Sequence, residues 1–283
     1  VIVECVVNVS EGRHEALLAE LEAAAGPALL DRHTDPDHHR SVFTMVGQPD
    51  AVEAAARALA TAAVGRLDLG PHHGAHPRLG VLDVVPFVPY RPGRMPDPDP
   101  DLTAVVTLRD AFAHWLAQTL GVPSFLYGPL PGGRSRTLPQ IRRDAFEGLV
   151  PDFGPDRPHR SAGATAVGAR SVLVAYNVWV SSVAVARRVA PLVRSPVLQA
   201  LGLAVGDRAQ VSCNLIDPGG FGPQQLYDQV HQLVAEAGGT VAGAELVGLL
   251  PAAVLHRIPP GRWTELGLAQ ANTVEAALDR IRG

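Results

Sequence analysis

Pro151-Asp152-Phe153-Gly154-Pro155-Asp156-Arg157-Pro158-His159-Arg160-Ser161-Ala162-Gly163 divides this chain. Proline fixes its own φ and removes a donor, and glycine adds backbone freedom. A stretch rich in both and poor in apolar residues supports neither a helix nor a strand. We place the boundary there, giving domains at 1–160 and 161–283. The same order of elements is legible on either side of it.

Ahead of the boundary, Val1 to Val9 is rich in β-branched residues and predicts a strand. Ser10-Glu11-Gly12 turns into a helix over Glu15 to Ala25, with Leu17, Leu18 and Leu21 on one face. Short strands follow at Ala28 to Asp31 and Arg40 to Val46. An alanine-rich helix runs from about Asp50 to Val64, and a strand from Val81 to Val88. Pro86 and Pro89 predict that this strand ends at an edge or leaves the sheet. Tyr90 to Pro100 reads as a surface loop, Leu102 to Leu120 as a helix, Ser124 to Tyr127 as a strand and Gly128 to Arg136 as a loop. Beyond the boundary, strands are expected at Ser171 to Val178, Val197 to Val205, Ala209 to Ile216 and Val241 to Val247. Helices are expected at Ser181 to Val193, Pro223 to Ala237 and Asn272 to Ile281.

Both halves thus read strand-helix-strand-strand-helix-strand, the order of the ferredoxin-like split βαβ. Asn8-Val9 and Asn177-Val178 close corresponding strands. The expected fold class is α/β of the α+β kind: two ferredoxin-like subdomains, mostly antiparallel sheets covered by helices, with a ligand cleft between them.

Composition narrows the function. The 283 residues carry 24 basic and 28 acidic side chains, a net charge of −4, without a long basic stripe. A nucleic-acid partner is not expected. Every basic residue is arginine. The absence of lysine excludes lysine Schiff-base chemistry and the lysine of a phosphate loop. Arginine favours two-pronged contacts to carboxylates. Cys5 and Cys213 lie in apolar runs and read as buried small side chains. No run of 18 uncharged apolar residues suggests a membrane partner, and no signal peptide opens the sequence, so a cytoplasmic location is the expectation.

The richest polar stretch is Gly70-Pro71-His72-His73-Gly74-Ala75-His76-Pro77-Arg78-Leu79-Gly80. Imidazoles titrate near neutral pH, so at least one of these histidines is a candidate proton carrier; the alternative is a solvated polar loop. Asp83 is placed to orient such an imidazole. His33-Thr34-Asp35-Pro36-Asp37-His38-His39-Arg40 offers a second cluster. His33, Asp35, Asp37, His39, His72 and His76 could be drawn on as metal ligands, but no fixed-spacing motif such as HExxH is present, and no metal is expected. A polar turn cornered by Pro36, or substrate recognition without metal, are the other readings. Arg134, Arg136, Arg142 and Arg143 form either a carboxylate or phosphate clamp or an ordinary charged helix face. Gly163 to Ala169 could present backbone N–H groups to an anion, though it lacks the GxGxxG order. His14, His114, His159, His231 and His256 receive no role.

Several stretches resemble the formiminotransferase domain of the glutamate formimidoyltransferase family. They are Glu4-Cys5-Val6-Val7-Asn8-Val9-Ser10-Glu11-Gly12, His73 to Arg78, Asp83 with Pro86-Phe87, Gly121-Val122-Pro123 with Leu126-Tyr127-Gly128, Pro151 to Pro155, and Gly163-Ala164-Thr165 with Gly168-Ala169-Arg170. The resemblance spans nearly the whole sequence. It implies transfer of the formimino group of N-formimino-L-glutamate to N5 of tetrahydrofolate, in two α/β subdomains with folate in the groove between them, in a homodimer. It puts the catalytic histidine before Pro-Arg, at His76, with Asp83 as a supporting carboxylate. It further implies that Asn8, Ser10 and Glu11 line the site, and Arg40, Arg78 and Arg136 would hold carboxylates. His39, Gly163 and Thr165 complete the expected binding set. The sequence does not extend into a helical cyclodeaminase domain, so that second activity is not expected. Animal members often read His-Lys-Gly-Glu-His-Pro-Arg where this chain has His72-His73-Gly74-Ala75-His76-Pro77-Arg78, and Asn where it has His39. A different one-carbon or formimino donor, an amidine hydrolase, and a non-catalytic folate binder remain alternatives.

Overall fold

A computed structural model describes residues 2–74 and 78–282. The chain divides into two units. One comprises Val1–Tyr90 and Asp101–Arg170; the other comprises Arg91–Pro100 and Ser171–Gly283. The fold is α+β, with mixed and antiparallel sheets.

In the first unit the elements run β1 (Ile2–Val9), α1 (Glu15–Ala25), β2 (Leu29–Asp35), β3 (Arg40–Gly47), α2 (Pro49–Arg66) and β4 (Leu82–Tyr90). They continue as α3 (Thr103–Leu120), β5 (Ser124–Leu130), β6 (Arg134–Arg136), α4 (Leu138–Asp144) and β7 (Thr165–Ala169). Seven strands form one sheet in the order β2-β3-β1-β4-β7-β5-β6. The first four pair antiparallel; β7 is parallel to both β4 and β5. Alternate residues of β1, Val3, Cys5, Val7 and Val9, enter a core with Phe43, Phe87, Leu59, Phe112 and Leu116 beneath α1, α2 and α3. Burying each such aliphatic or aromatic side chain contributes about 1.5–3 kcal/mol. On the opposite face Val84, Phe125, Tyr127 and Ala166 pack with Ile141 of α4.

Helix boundaries follow local chemistry. α2 starts on Pro49, whose missing N–H costs nothing at a first helical position. α3 stops at Gly121, which adopts the left-handed conformation with φ 66°. Thr137 and Gln140 close a capping box at the start of α4.

Two expectations need correction and two hold. β4 lies between β1 and β7, and its end beyond Phe87 is at an edge, paired with β1 alone, as its prolines predict. The β1 ladder passes from Cys5↔Phe87 to Asn8↔Val84 around Pro86, and pairing with β7 ends at Phe87↔Ala169, short of Pro89. Each missing N–H therefore falls where one neighbour makes little demand on it. Gly128 to Arg136 is not a loop but the hairpin β5–β6. Arg91–Pro100 is the exposed loop expected, and it belongs to the second unit, where the Gly93 N–H donates to Glu275 at 2.8 Å. Finally, the division falls at Arg170/Ser171 rather than 160/161, because β7 completes the first sheet.

The second unit contains β8 (Val174–Val180), α5 (Val183–Val193), β9 (Leu198–Val205), β10 (Arg208–Leu215), α6 (Pro223–Glu236), β11 (Val241–Val247), α7 (Ala252–Leu255) and α8 (Val274–Arg282). Its sheet is antiparallel, in the order β11-β8-β10-β9. This is the arrangement of β4-β1-β3-β2 in the first unit. Tyr176, Val178, Val211, Cys213, Leu226 and Val230 lie in its core. Both cysteines are buried and free. Among the described residues no helix is long and apolar enough to cross a membrane.

Candidate active site

The polar residues of the first unit gather where β1 ends. The Ser10 hydroxyl donates to the Gly80 carbonyl at 2.8 Å, and its N–H to the Val81 carbonyl at 2.8 Å. Glu11 then turns its carboxylate back onto the chain. Oε1 accepts from the N–H groups of Gly12, Arg13 and His14 at 2.8, 2.7 and 3.1 Å, and Oε2 lies 2.9 Å from Nδ1 of His14. Burial alone would raise the pKa of this carboxyl, which is only 4% exposed. The N–H groups of Arg13 and His14 and the His14 ring outweigh burial and bring it down to about 2. Glu11 thus remains charged and satisfies N–H groups ahead of α1, whose start has no other side-chain cap.

The β2–β3 turn packs directly on this loop. Asp35 Oδ1 accepts from the N–H groups of Asp37 and His38, both at 2.8 Å. His39 has a φ of 50°. Its Nδ1 accepts from the Gly12 N–H at 3.1 Å and lies 3.6 Å from Glu11. Only glycine fits at position 12: a Cβ there would collide with the Asp35 carbonyl and sit 2.6 Å from the Arg40 nitrogen. Burial lowers the His39 pKa; Glu11 opposes, and Arg13 and Arg78 add to the lowering.

The third element is the loop after α2. The His72 ring lies 4.0 Å from that of His39, centroid to centroid. Arg78 sets its guanidinium against His72, 2.7 Å from Nδ1, and donates to the carbonyls of His38 and His39 at 3.0 and 3.3 Å. Burial, then the charges of Arg78 and His39, push the His72 pKa down to about 4. His76, with Ala75 and Pro77, lies outside the described residues.

Asp83, 1% exposed, stands below this loop. Arg142 of α4 grips it with two hydrogen bonds, 2.7 Å to Oδ2 and 3.3 Å to Oδ1. Oδ1 also accepts the Leu79 N–H at 2.6 Å. Burial would raise the carboxyl's pKa, but Arg142 and Arg40 outweigh it and hold it below the usual range. Arg40 donates to the Asn8 side-chain oxygen, and its buried Nε has no hydrogen-bond partner among the described residues. Burial lowers the Arg40 pKa to about 10, Asp83 opposing and Arg142 and Arg78 reinforcing.

Asn8, Ser10, Glu11, His39, Arg40, Arg78 and Asp83 therefore converge through these contacts. Other expected members do not join them. Arg136 is committed to Asp152 at 2.6 Å and to the Leu126 carbonyl at 3.1 Å, an ion pair that braces the β5–β6 hairpin. Gly163, Ala164 and Thr165 do not offer N–H groups to an anion. These donate to the carbonyls of His159, Leu79 and Pro123 at 3.0, 3.1 and 3.0 Å. Gly163 is required instead for close backbone approach: a Cβ there would strike the Leu79 carbonyl and lie 3.0 Å from Gly80 Cα. Among the described residues Asp83 holds Arg142 and the Leu79 N–H, and the expected partner His76 lies outside them. Arg13, His14 and Arg142 are the members that sequence reasoning left out. Arg142 stood out only as part of a basic patch, and nothing in its spacing linked it to Asp83.

Arg13, Arg40, Arg78 and Arg142 outnumber Glu11, Asp35 and Asp83, so the cluster favours an anionic ligand. The lowered pKa values leave His39 and His72 neutral at pH 7. Among the described residues no three His, Cys, Asp or Glu side chains meet as metal ligands.

Comparison with known proteins follows the same line. The family described as "Formiminotransferase domain, N-terminal subdomain" matches residues 2–170. The chain is 36% identical over 282 residues to a glutamate formimidoyltransferase of Streptococcus pyogenes, covering 90% of each protein. It is 30% identical over 304 residues to a glutamate formimidoyltransferase of Thermoplasma acidophilum, covering 99% of this chain and 98% of the relative. It is 35% identical over 278 residues to the formimidoyltransferase-cyclodeaminase of Sus scrofa, covering 88% of this chain and 50% of that protein.

Proposed function

The chain belongs to the formiminotransferase family, and from that premise we propose that it moves the formimino group of N-formimino-L-glutamate to N5 of tetrahydrofolate, releasing L-glutamate. The observation that carries this reading is 36% identity to a glutamate formimidoyltransferase across nine-tenths of both proteins. The arginine excess of the cluster supports it, because the donor and the folate both carry carboxylates.

In this reading N5 attacks the amidine carbon, a C–N bond forms, and the carbon becomes tetrahedral. N5 then loses a proton, the glutamate nitrogen gains one, and the bond to glutamate breaks. His76 is the proposed carrier of that proton. Arg40 and Arg78 are the proposed carboxylate contacts. Asp83, engaged by Arg142, acts through the Leu79 N–H on the segment that follows His76. Tetrahydrofolate is a co-substrate here, so no resident cofactor is invoked. The same reading takes each strand-helix-strand-strand-helix-strand array as a ferredoxin-like split βαβ. Residues 171–283 then form the C-terminal counterpart of the matched subdomain, and the protein works as a homodimer.

The test is a steady-state assay of glutamate release from N-formimino-L-glutamate, with and without tetrahydrofolate. Folate-dependent release supports the proposal. Folate-independent release would indicate an amidine hydrolase, and no release from folded protein would point to another donor or a binding role.

A further inference from the structure

We propose that His39 is a positioning residue that joins three loops of the site through its ring Nδ1 and its own carbonyl, and does not contact the substrate. The inference rests on the formimino-transfer reading for its kinetic part only.

His39 and Phe146 are the non-glycine residues with positive φ among those described. That conformation is uncommon for a side chain with a Cβ, and Asn is among the residues that tolerate it best. Here it turns the His39 carbonyl toward the loop that precedes His76. The carbonyl accepts from Arg78 at 3.3 Å. The ring, 8% exposed, also lies against that of His72, and its Nδ1 shares the Gly12 N–H with Glu11. One residue therefore ties the end of β1, the β2–β3 turn and the loop after α2.

Accepting a hydrogen bond at Nδ1 requires a lone pair there, so the neutral ring carries its proton on Nε2. The groups facing it are Glu11 at 3.6 Å, Arg13, Arg78, His72 with ring centroid at 4.0 Å and His14 at 6.5 Å. A proton on Nδ1 would remove the acceptor and break the tie to Gly12. Gly12 has no freedom to compensate, since the turn backbone lies against its Cα.

Four variants separate the parts. In His39→Asn, Oδ1 takes the place of Nδ1 and the residue tolerates the left-handed backbone. In His39→Gln the acceptor moves to the place of Nε2. His39→Gly keeps only the backbone, and His39→Ala keeps neither. A displaced catalytic loop can cost about 10²-fold in kcat. The expected order of kcat is Asn, then Gly, then Gln and Ala, with Asn at least about tenfold above Gln and both KM values nearly constant. A Gln variant equal to or better than Asn overturns the proposal, as does a rise in KM at unchanged kcat. Ring 15N shifts supply a readout independent of turnover, the His39 signal being identified by its loss in His39→Asn. The Nε2–H tautomer at pH 7 is expected, and an Nδ1–H tautomer or an imidazolium overturns the proposal. Should the wild-type protein transfer no formimino group, the reaction reading fails, while the ring measurement still decides the placement of His39.

Discussion

Arg142 and Asp83, 59 residues apart in sequence, meet in a two-point ion pair at 2.7 and 3.3 Å. The carboxylate is buried and the guanidinium partly exposed. Removing one partner from such a pair leaves a buried charge and costs about 3 kcal/mol, well above the roughly 0–1 kcal/mol of a surface pair. Arg142→Met should therefore lower the urea midpoint strongly, and Arg142→Lys should recover only part, because one ammonium cannot reproduce the fork. A loss below about 0.5 kcal/mol for Arg142→Met would place the pair in the surface class.

Gly12→Ala should be far more damaging than Gly93→Ala. At position 12 a Cβ meets the Asp35 carbonyl and the Arg40 nitrogen, both backbone atoms that cannot swing away. At position 93 the φ of 70° is strained for alanine, but nothing lies within 4 Å. We expect Gly93→Ala to cost about 1–2 kcal/mol, and Gly12→Ala to cost more and to abolish turnover. Thermal unfolding and the transfer assay check both. Equal costs would contradict the packing at Gly12.

Acid should destabilise the protein in two steps. His72 titrates ordinarily at 6.5 but near 4 when folded, so between those values the unfolded chain binds a proton that the folded chain does not. Stability from this group is present above pH 6.5 and lost as the pH falls toward 4. Glu11 acts lower: its ordinary value of 4.5 falls to about 2, so its contribution is present above pH 4.5 and disappears on the way to 2. His72→Asn should flatten the fall of Tm in the upper window, and Glu11→Gln in the lower. A wild-type Tm unchanged from pH 7 to pH 4 would refute the first step.

His76→Ala should lower kcat by about 10²–10⁴-fold with the unfolding midpoint unchanged. Full activity in that variant would move the proton transfer to another residue, with His72 and His14 next to be replaced.

Much of the architecture was legible because β-branched runs and amphipathic helices report themselves locally. The strand of β11 matches its expected bounds, Val241 to Val247, residue for residue. β7 did not report itself. Its sequence is Thr165-Ala166-Val167-Gly168-Ala169, buried throughout, with no alternation to read. Its small residues answer to neighbours: a Cβ at Gly168 would overlap the Tyr127 ring. The prolines of β4 were legible for the converse reason, since beyond Phe87 the strand pairs with β1 alone. In the site, the loops could be named in advance but their partners could not. Arg136 and Arg142 stand in one basic patch, yet one serves Asp152 and the other Asp83.

The place of β7 also constrains the order of events on the ribosome. It lies between β4 and β5, yet both leave the exit tunnel before it does. A nascent chain that has emerged only as far as residue 164 could form four paired strands and a separate hairpin, with facing edges that have no strand between them. Such edges template wrong pairings. The proline-rich stretch at 151–163 is thus the last connection made before the sheet is sealed, and a pause in translation that holds β7 inside the tunnel after the hairpin has emerged would leave those edges open to aggregation.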